Sequence, residues 1–197
     1  CNGLDALAQA IESAWAAGST KQSREYSFRA VSLCAKYLKE VLAPDASEDA
    51  LQSMMEAANL AGKAINISKT TAAHAWSYAI TSHHSVPHGH AVWLTLPRIF
   101  EIHATASAEV VTDPRGMKHF QAIMTRLIDI WGIVSPEDSG RQLKSYLQAI
   151  NIESDMGKIG ANTAKKREFL SKQVNMQRMS NNPVGLTQAH VNQIFGL

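Results

Sequence analysis

Apolar residues recur at helical spacing along nearly all of this 197-residue chain, and this period constrains the fold more than any other feature. Leu4, Leu7, Ile11 and Trp15 open the pattern, at intervals that place them on one face of a helix. No convincing alternation of apolar and polar residues predicts a strand, and no glycine-rich turn after a strand offers a site for dinucleotide phosphates. The sequence therefore predicts an all-α fold, a helical bundle.

Prolines and capping residues divide the first half of the pattern into separate helices. The start and stop signals there are Gly18 after the first helix, Ser19 or Thr20 before the second, Pro44 after it, Ser47 before the third, Thr70 or Thr71 before the fourth, and Pro87 after the fourth. A fifth helix begins near His88, and Pro97 is expected to kink or divide it.

The second half carries the same kinds of signal. Asp113 and Pro114 predict an N-cap and first turn for a helix through Trp131. The remaining predictions are a helix from Ser135 and Pro136 to Ile150, a loop over 151–163, a helix over 164–179, a break at 181–183 and a final short helix capped by Thr187.

Composition narrows the class of protein. With 45% apolar residues the chain can bury a core of its own as one domain. Its net charge of +2 comes from 19 basic and 17 acidic residues without a basic stripe, so we expect no nucleic-acid partner. No apolar run is long enough for a membrane span, and Cys1 and Cys34 form no disulfide framework by spacing. A cytoplasmic protein is expected.

The beginning of the chain is unusual. It starts at Cys1 without a methionine, and the helical pattern is already under way at Leu4. We therefore expect a fragment of a longer polypeptide.

Histidines are concentrated in one short segment. Five of the eight lie between positions 74 and 90, namely His74, His83, His84, His88 and His90. Imidazole is the commonest protein ligand for first-row transition metals, and a turn at a proline could bring His74 and His88 together. The cluster alone is equally compatible with a metal site and with a solvated polar loop.

An acidic partner for these histidines can be sought on the first helix. Asp5 and Gln9 are four residues apart, so both project from the same side of the helix, next to its apolar stripe. They could face a shared cavity. Alternatively, Asp5 simply interacts with the positive end of the helix dipole.

Several segments together resemble one family. They are residues 5–13, His74 followed fourteen positions later by Pro87, His88 and Gly89, the exit from Leu94 to Pro97, and the break at 181–183 with its closing helix. In order and spacing they resemble the C-terminal helical domain of iron-containing (group III) alcohol dehydrogenases, which have a dehydroquinate synthase-like fold. The resemblance implies that 1–197 is a single all-helical metal-binding domain, with the family's N-terminal nucleotide-binding domain lying outside it.

The resemblance also implies a set of metal ligands, Asp5, His74 and His88. Many relatives have a fourth ligand, a histidine, where this chain has Gln9. Because an amide oxygen is a weaker ligand than imidazole, Gln9 could bind weakly, act through water or only orient Asp5. Three protein ligands suffice for a catalytic site, with Fe²⁺ as the expected metal and Zn²⁺ as its close rival.

Tyr78 stands where many relatives carry another histidine near the reacting centre. A phenol can donate a hydrogen bond to a substrate oxygen, but with an ordinary pKa near 10 it is a poor base. Packing beside Trp76 is the alternative for this side chain. His83, His84 and His90 are not ligands in the family pattern and are expected to line the cleft mouth or the surface.

The implied activity is reversible reduction of an aldehyde to an alcohol by hydride from NADH or NADPH, with the metal polarising the carbonyl. The isolated chain is then expected to be inactive. A catalytically silent, truncated helical module that binds a partner and lacks metal is the alternative, and a metal-dependent hydrolase ranks third. Whether the protein forms a homodimer stays open.

A narrower resemblance concerns the substrate. Residues 61–71 and 87–90 look most like the branch of the family that includes phosphonoacetaldehyde reductases. Thr70 and Thr71 lie at a predicted helix start, where free N–H groups attract anions, and Lys69 adds a positive charge. These three residues could hold an anionic tail of the substrate. An ordinary helix cap with a solvated lysine is the alternative.

Overall fold

The computed structural model describes residues 2–197, and within this range it is helical without a β-strand. The all-α prediction is confirmed. The helices are α1 (Asn2–Trp15), α2 (Lys21–Tyr37), α3 (Glu48–Ser68), α4 (Ala72–His84), α5 (His88–Trp93), α6 (Leu96–Ala104), α7 (Met117–Trp131), α8 (Ser139–Ala149), α9 (Ala164–Lys172), α10 (Met176–Met179) and α11 (Gln188–Phe195). Cys1, and with it any statement on its pairing, lies outside the described residues.

Helix α1 is the central element of the bundle. It contacts α2, α3, α5 and α7, and nearly every residue from Leu4 to Trp15 is buried. A helix that is apolar around most of its circumference is typical of such a position. Trp15 packs edge-on against Phe100 of α6, with ring centroids 5.8 Å apart. The core is therefore built around α1, which also carries Asp5, Gln9 and Glu12.

Most of the predicted helix boundaries are confirmed. Thr20 and Thr187 form capping boxes at the starts of α2 and α11, and the Ser47 hydroxyl accepts a hydrogen bond from the N–H of Ala50. Each cap satisfies a backbone donor that the helix itself cannot pair. Pro97 divides the fifth predicted helix into α5 and α6 rather than kinking it.

Two predicted boundaries are wrong. Helix α7 begins at Met117 after Gly116, which has a φ of 83°, and not at Asp113 and Pro114. The Asp113 carboxylate instead binds the backbone and guanidinium of Arg115, so it closes a turn. The helix predicted over 164–179 is interrupted between α9 and α10, where Asn175 caps a new helical turn.

The Asp113 and Arg115 pair fastens this turn to the centre of the bundle. The Asp113 side chain is fully buried and accepts from Nη2 of Arg115 at 2.7 Å. Arg115 also donates to the carbonyl oxygens of Ala16 and Ser19, between α1 and α2. Burial alone would raise the pKa of Asp113, but the bonds from Arg115 hold it below its ordinary value.

Cys34 is buried on α2, where burial raises the pKa of its thiol to about 12. It is therefore protonated and unreactive near neutral pH. Between residues 2 and 197, no helix combines the length and the apolarity that crossing a bilayer requires.

We expect Arg115→Ala to lower the free energy of unfolding by about 2–4 kcal/mol, because it removes both guanidinium bonds to the buried Asp113 carboxylate and the guanidinium bonds to the carbonyl oxygens of Ala16 and Ser19. Chemical denaturation measures this loss. Arg141→Ala is the matched control, since Arg141 pairs with Asp138 at the surface and should contribute only about 0–1 kcal/mol. Equal losses in the two variants would contradict the assigned role of Arg115.

Candidate metal centre

Three helices bring their first turns together at one end of α1. Asp5 lies in the first turn of α1, His74 in the first turn of α4, and His88 is the first residue of α5. Ser85, with a φ of 52°, ends α4 in the left-handed conformation, and Pro87 then leads directly into α5. This reversal returns the chain so that the two imidazole rings are 5.5 Å apart, centroid to centroid.

A hydrogen bond fixes α5 against α1 beside these residues. The buried indole of Trp93 donates from Nε1 to the carbonyl oxygen of Leu4 at 2.8 Å. Leu4 immediately precedes Asp5, and Trp93 is on the same short helix as His88. The bond therefore sets the distance between the two elements that carry Asp5 and His88.

The ligand atoms of Asp5, His74 and His88 lie within 4.8 Å of one another. Oδ1 of Asp5 is 3.5 Å from Nε2 of His74 and 3.7 Å from Nε2 of His88. Two atoms that each bind one zinc ion at about 2.0–2.2 Å can be at most about 4.4 Å apart, so the two distances from Asp5 Oδ1 are compatible with a common ion. Asp5 Oδ1 and His74 Nε2 are also buried without a hydrogen-bond partner, as expected of groups reserved for a cation.

Gln9 acts on Asp5. Its amide nitrogen donates to Oδ2 of Asp5 at 2.8 Å, and the reverse orientation of the amide would place two oxygens against each other. Oδ1 of Asp5 is thereby left to face the histidines. This hydrogen bond is the contact expected of a Gln9 side chain that orients Asp5.

Glu12 is a residue of this site that the sequence analysis missed. Its fully buried carboxylate accepts from Nδ1 of His74 at 2.5 Å, from the hydroxyl and N–H of Thr71, and from the N–H groups of Ala73 and His74. The available signal was its spacing, because Glu12 is seven residues after Asp5 and so lies on the same face of α1. An acidic residue within an otherwise apolar buried helix is a second signal.

Charge and burial set the protonation of the two histidines differently. Burial alone would lower the pKa of His74, but the negative charges of Glu12 and Asp5 raise it to about 9. Burial would likewise raise the pKa of Glu12, yet His74 and Thr71 hold it below its ordinary value. The pKa of His88 is lowered by burial, so its ring is neutral near pH 7.

Tyr78 lies at the edge of the cluster. Its ring is 5.5 Å from that of His88 and 43% of the residue is exposed, so its hydroxyl is accessible. Trp76 is instead buried against Phe195 and donates from its indole to the carbonyl oxygen of Ser171. The structure therefore places Tyr78 beside His88 and not in the packed arrangement with Trp76.

The start of α4 differs from the predicted anion site. The hydroxyl and N–H of Thr71 are both bound to Glu12, so an internal carboxylate occupies the position expected for a substrate anion. The Thr70 side chain is buried, while Lys69 is exposed and donates to the carbonyl oxygen of Asn66. The helix terminus thus gives no support to substrate binding by Thr71. The Thr70 hydroxyl is buried without a hydrogen-bond partner, and of the three residues only Lys69 is exposed.

The other clustered histidines lie outside the three-ligand group. His83 stacks edge-on against Phe169 at 5.0 Å, His84 lies against Gly160, and Nε2 of His90 is 2.5 Å from the carbonyl oxygen of Glu153. Of the five clustered histidines, two therefore contribute to the candidate centre, namely His74 and His88.

Comparisons with known proteins identify relatives of this chain. The chain is 29% identical over 195 residues to phosphonoacetaldehyde reductase of Streptomyces viridochromogenes, a match that covers 98% of the chain and 48% of the relative. The solved sulfoacetaldehyde reductase of Bifidobacterium kashiwanohense, in complex with NAD+, is 26% identical with a TM-score of 0.79, over 98% of this chain and 48% of that one. An alcohol dehydrogenase from Oenococcus oeni shares the fold at 22% identity and a TM-score of 0.81, over 98% of this chain and 49% of that one.

The chain thus spans about half the length of the relatives it matches. The family model described as Fe-containing alcohol dehydrogenase family, C-terminal, matches residues 1–196, nearly the entire chain. Together with the shared helical fold, this match shows that the chain belongs to the C-terminal domain of the iron-containing alcohol dehydrogenase family.

Proposed function

We propose that this chain is the metal-binding, catalytic half of an NAD(P)-dependent aldehyde reductase. The observation that carries the proposal is the convergence of Asp5 Oδ1, His74 Nε2 and His88 Nε2, two of which are buried without any other partner. Family membership makes a divalent metal the expected occupant. Two imidazoles and one carboxylate with open positions suit Fe²⁺, and Zn²⁺ accepts the same ligands.

Each residue of the centre has a separate task in this proposal. Asp5, His74 and His88 hold the metal, which when bound acts as a Lewis acid on the carbonyl oxygen of the aldehyde. Gln9 keeps Asp5 in place by its hydrogen bond. The accessible hydroxyl of Tyr78, next to His88, donates a hydrogen bond to the substrate oxygen as negative charge develops there.

Hydride transfer needs a nicotinamide nucleotide beside the metal. The relatives are about twice as long as this chain, and the structure of one of them holds NAD+. We infer that the nucleotide is bound by a half of the protein outside these 197 residues, and that the two halves form the reaction site together.

An aldehyde with an anionic tail is the substrate class that we infer. Two relatives are named for reducing phosphonoacetaldehyde and sulfoacetaldehyde, which share a two-carbon aldehyde with a strongly acidic end group. Lys69 is exposed and is paired with no carboxylate among the described residues, so it could meet such a group.

We expect His74→Ala and His88→Ala each to abolish stoichiometric zinc or iron binding, because only two strong ligands remain. Calorimetry and elemental analysis of the purified chain measure this. His83→Ala is the matched control, since His83 is outside the cluster and should bind as the wild type does. Gln9→His should bind metal more tightly by adding an imidazole. If both ligand variants keep stoichiometric metal, the centre is assigned wrongly, and a folded wild-type chain without affinity for either metal would favour the silent module.

In the whole protein, we expect a higher kcat/KM for phosphonoacetaldehyde or sulfoacetaldehyde than for propanal. Lys69→Ala should raise KM for the anionic aldehydes by roughly tenfold or more and leave propanal nearly unaffected, because a charge-assisted hydrogen bond is worth about 1.5–3 kcal/mol. Lys63→Ala, a change of another exposed lysine on α3, is the control. Equal effects of Lys69→Ala on both kinds of aldehyde would limit Lys69 to a structural role.

A further inference from the structure

We propose that Glu12 is a positioning residue that fixes the tautomer and orientation of His74, and thereby keeps Nε2 of that ring available to the metal. The proposal rests on the proposed function and extends it to a residue that does not itself touch the ion. Its basis is the set of hydrogen bonds that the Glu12 carboxylate accepts.

Burial makes the position of Glu12 unusual. The residue has no exposed surface and lies in the last turn of α1, in an otherwise largely apolar helix. An isolated carboxylate in such surroundings costs several kcal/mol unless hydrogen bonds replace its water. Glu12 meets this requirement at the N-terminus of α4, where the unpaired N–H groups of Thr71, Ala73 and His74 point at it.

The pattern of donors explains why a carboxylate is needed. Oε1 accepts from the hydroxyl of Thr71 and the N–H of Ala73, both at 2.7 Å. Oε2 accepts from the N–H groups of Thr71 and His74 and from Nδ1 of His74. Backbone N–H groups can only donate, so both oxygens must be acceptors. A glutamine at this position would have only one acceptor oxygen. In either orientation of its amide, the NH₂ group would face a backbone N–H donor.

The same assignment of donors and acceptors determines the tautomer of His74. An ionised carboxylate only accepts, so Nδ1 of His74 must carry a proton in order to bond with it. In the neutral ring the lone pair then resides on Nε2, which is the atom that faces Asp5 and forms no hydrogen bond. A histidine that binds metal through one nitrogen commonly donates its other N–H in this way.

Two hydrogen bonds in series hold the Glu12 carboxylate in turn. The indole of Trp15, which can only donate, gives its N–H to the Thr71 hydroxyl at 2.9 Å. The Thr71 hydroxyl is therefore left to donate its own proton to Glu12. Thr71 thus supports the carboxylate, in place of the anion-binding role predicted for it. Through Asp5 and Glu12, helix α1 contacts both nitrogen atoms of the His74 ring.

The test compares zinc affinity by calorimetry in the wild type, Glu12→Gln and Ser13→Ala. Glu12→Gln preserves size but removes an acceptor, and we expect its affinity to fall by about 10–100-fold, the range typical of residues that orient a ligand. Ser13→Ala is the matched control. It removes a buried hydrogen bond from the same turn of α1, the one between the Ser13 and Ser27 hydroxyls, but it leaves the bonds of Glu12 in place and should change zinc affinity less than about threefold.

The possible results distinguish a failure of the proposed function from a failure of the role proposed for Glu12. A wild type that does not bind zinc would overturn the proposed function and this inference with it. Zinc binding by the wild type with equal affinity in Glu12→Gln would overturn only the role of Glu12. An equal loss in both variants would also overturn it, because a general structural effect would then suffice.

A measurement on the unaltered chain covers the case in which Glu12→Gln does not fold. In the zinc-loaded wild type, ¹⁵N and ¹H NMR should show His74 with a downfield, slowly exchanging proton on Nδ1 and coordination through Nε2. Coordination through Nδ1, or the absence of a protected ring proton, would overturn the proposal.

Discussion

The bond network between the Glu12 carboxylate and the first turn of α4 is the interaction on which the candidate site depends. A helix begins with N–H groups that have no partner within the helix, and α4 begins inside the protein where water cannot reach them. Thr71 provides no side-chain cap for its own helix. The cap comes instead from Glu12 in the last turn of α1, so the start of α4 and this end of α1 stabilise each other.

This arrangement makes the site rigid for a simple reason. Asp5 and Glu12 are seven residues apart on one helix, a distance of about two turns, and so their separation is set by the backbone. His74 lies between them, and Trp93 ties α5 to the carbonyl of Leu4. Asp5 is thus on α1 itself, and His74 and His88 are on helices that are hydrogen-bonded to α1, which positions ligands more accurately than loops could.

Gln9 and Tyr78, the two departures from the family pattern, are chemically consistent with each other. Gln9 stands where many relatives have a fourth histidine, and it donates to Oδ2 of Asp5. In the proposed centre the protein would contribute three ligands, and one oxygen of Asp5 is committed to Gln9. Tyr78, in place of another histidine, leaves an exposed phenol beside His88. With a metal bound, both departures would leave room for oxygen donors from substrate or water.

The sequence by itself determined the helical class, most of the helix boundaries and the three candidate ligands. The helical class and boundaries depend on the 3.6-residue period, on capping residues and on proline, all of which act between near neighbours. The candidate ligands depend on the resemblance in the spacing of the motifs. Only the tertiary structure decided the roles of Glu12 and Thr71, since their partners are about sixty positions apart in the chain. It also decided that Asp113 pairs with Arg115 instead of starting α7, because the other contacts of Arg115 are with α1 and its following turn. A local pattern shows that a residue can cap a helix or bind an ion, but which partner it meets depends on how the helices pack.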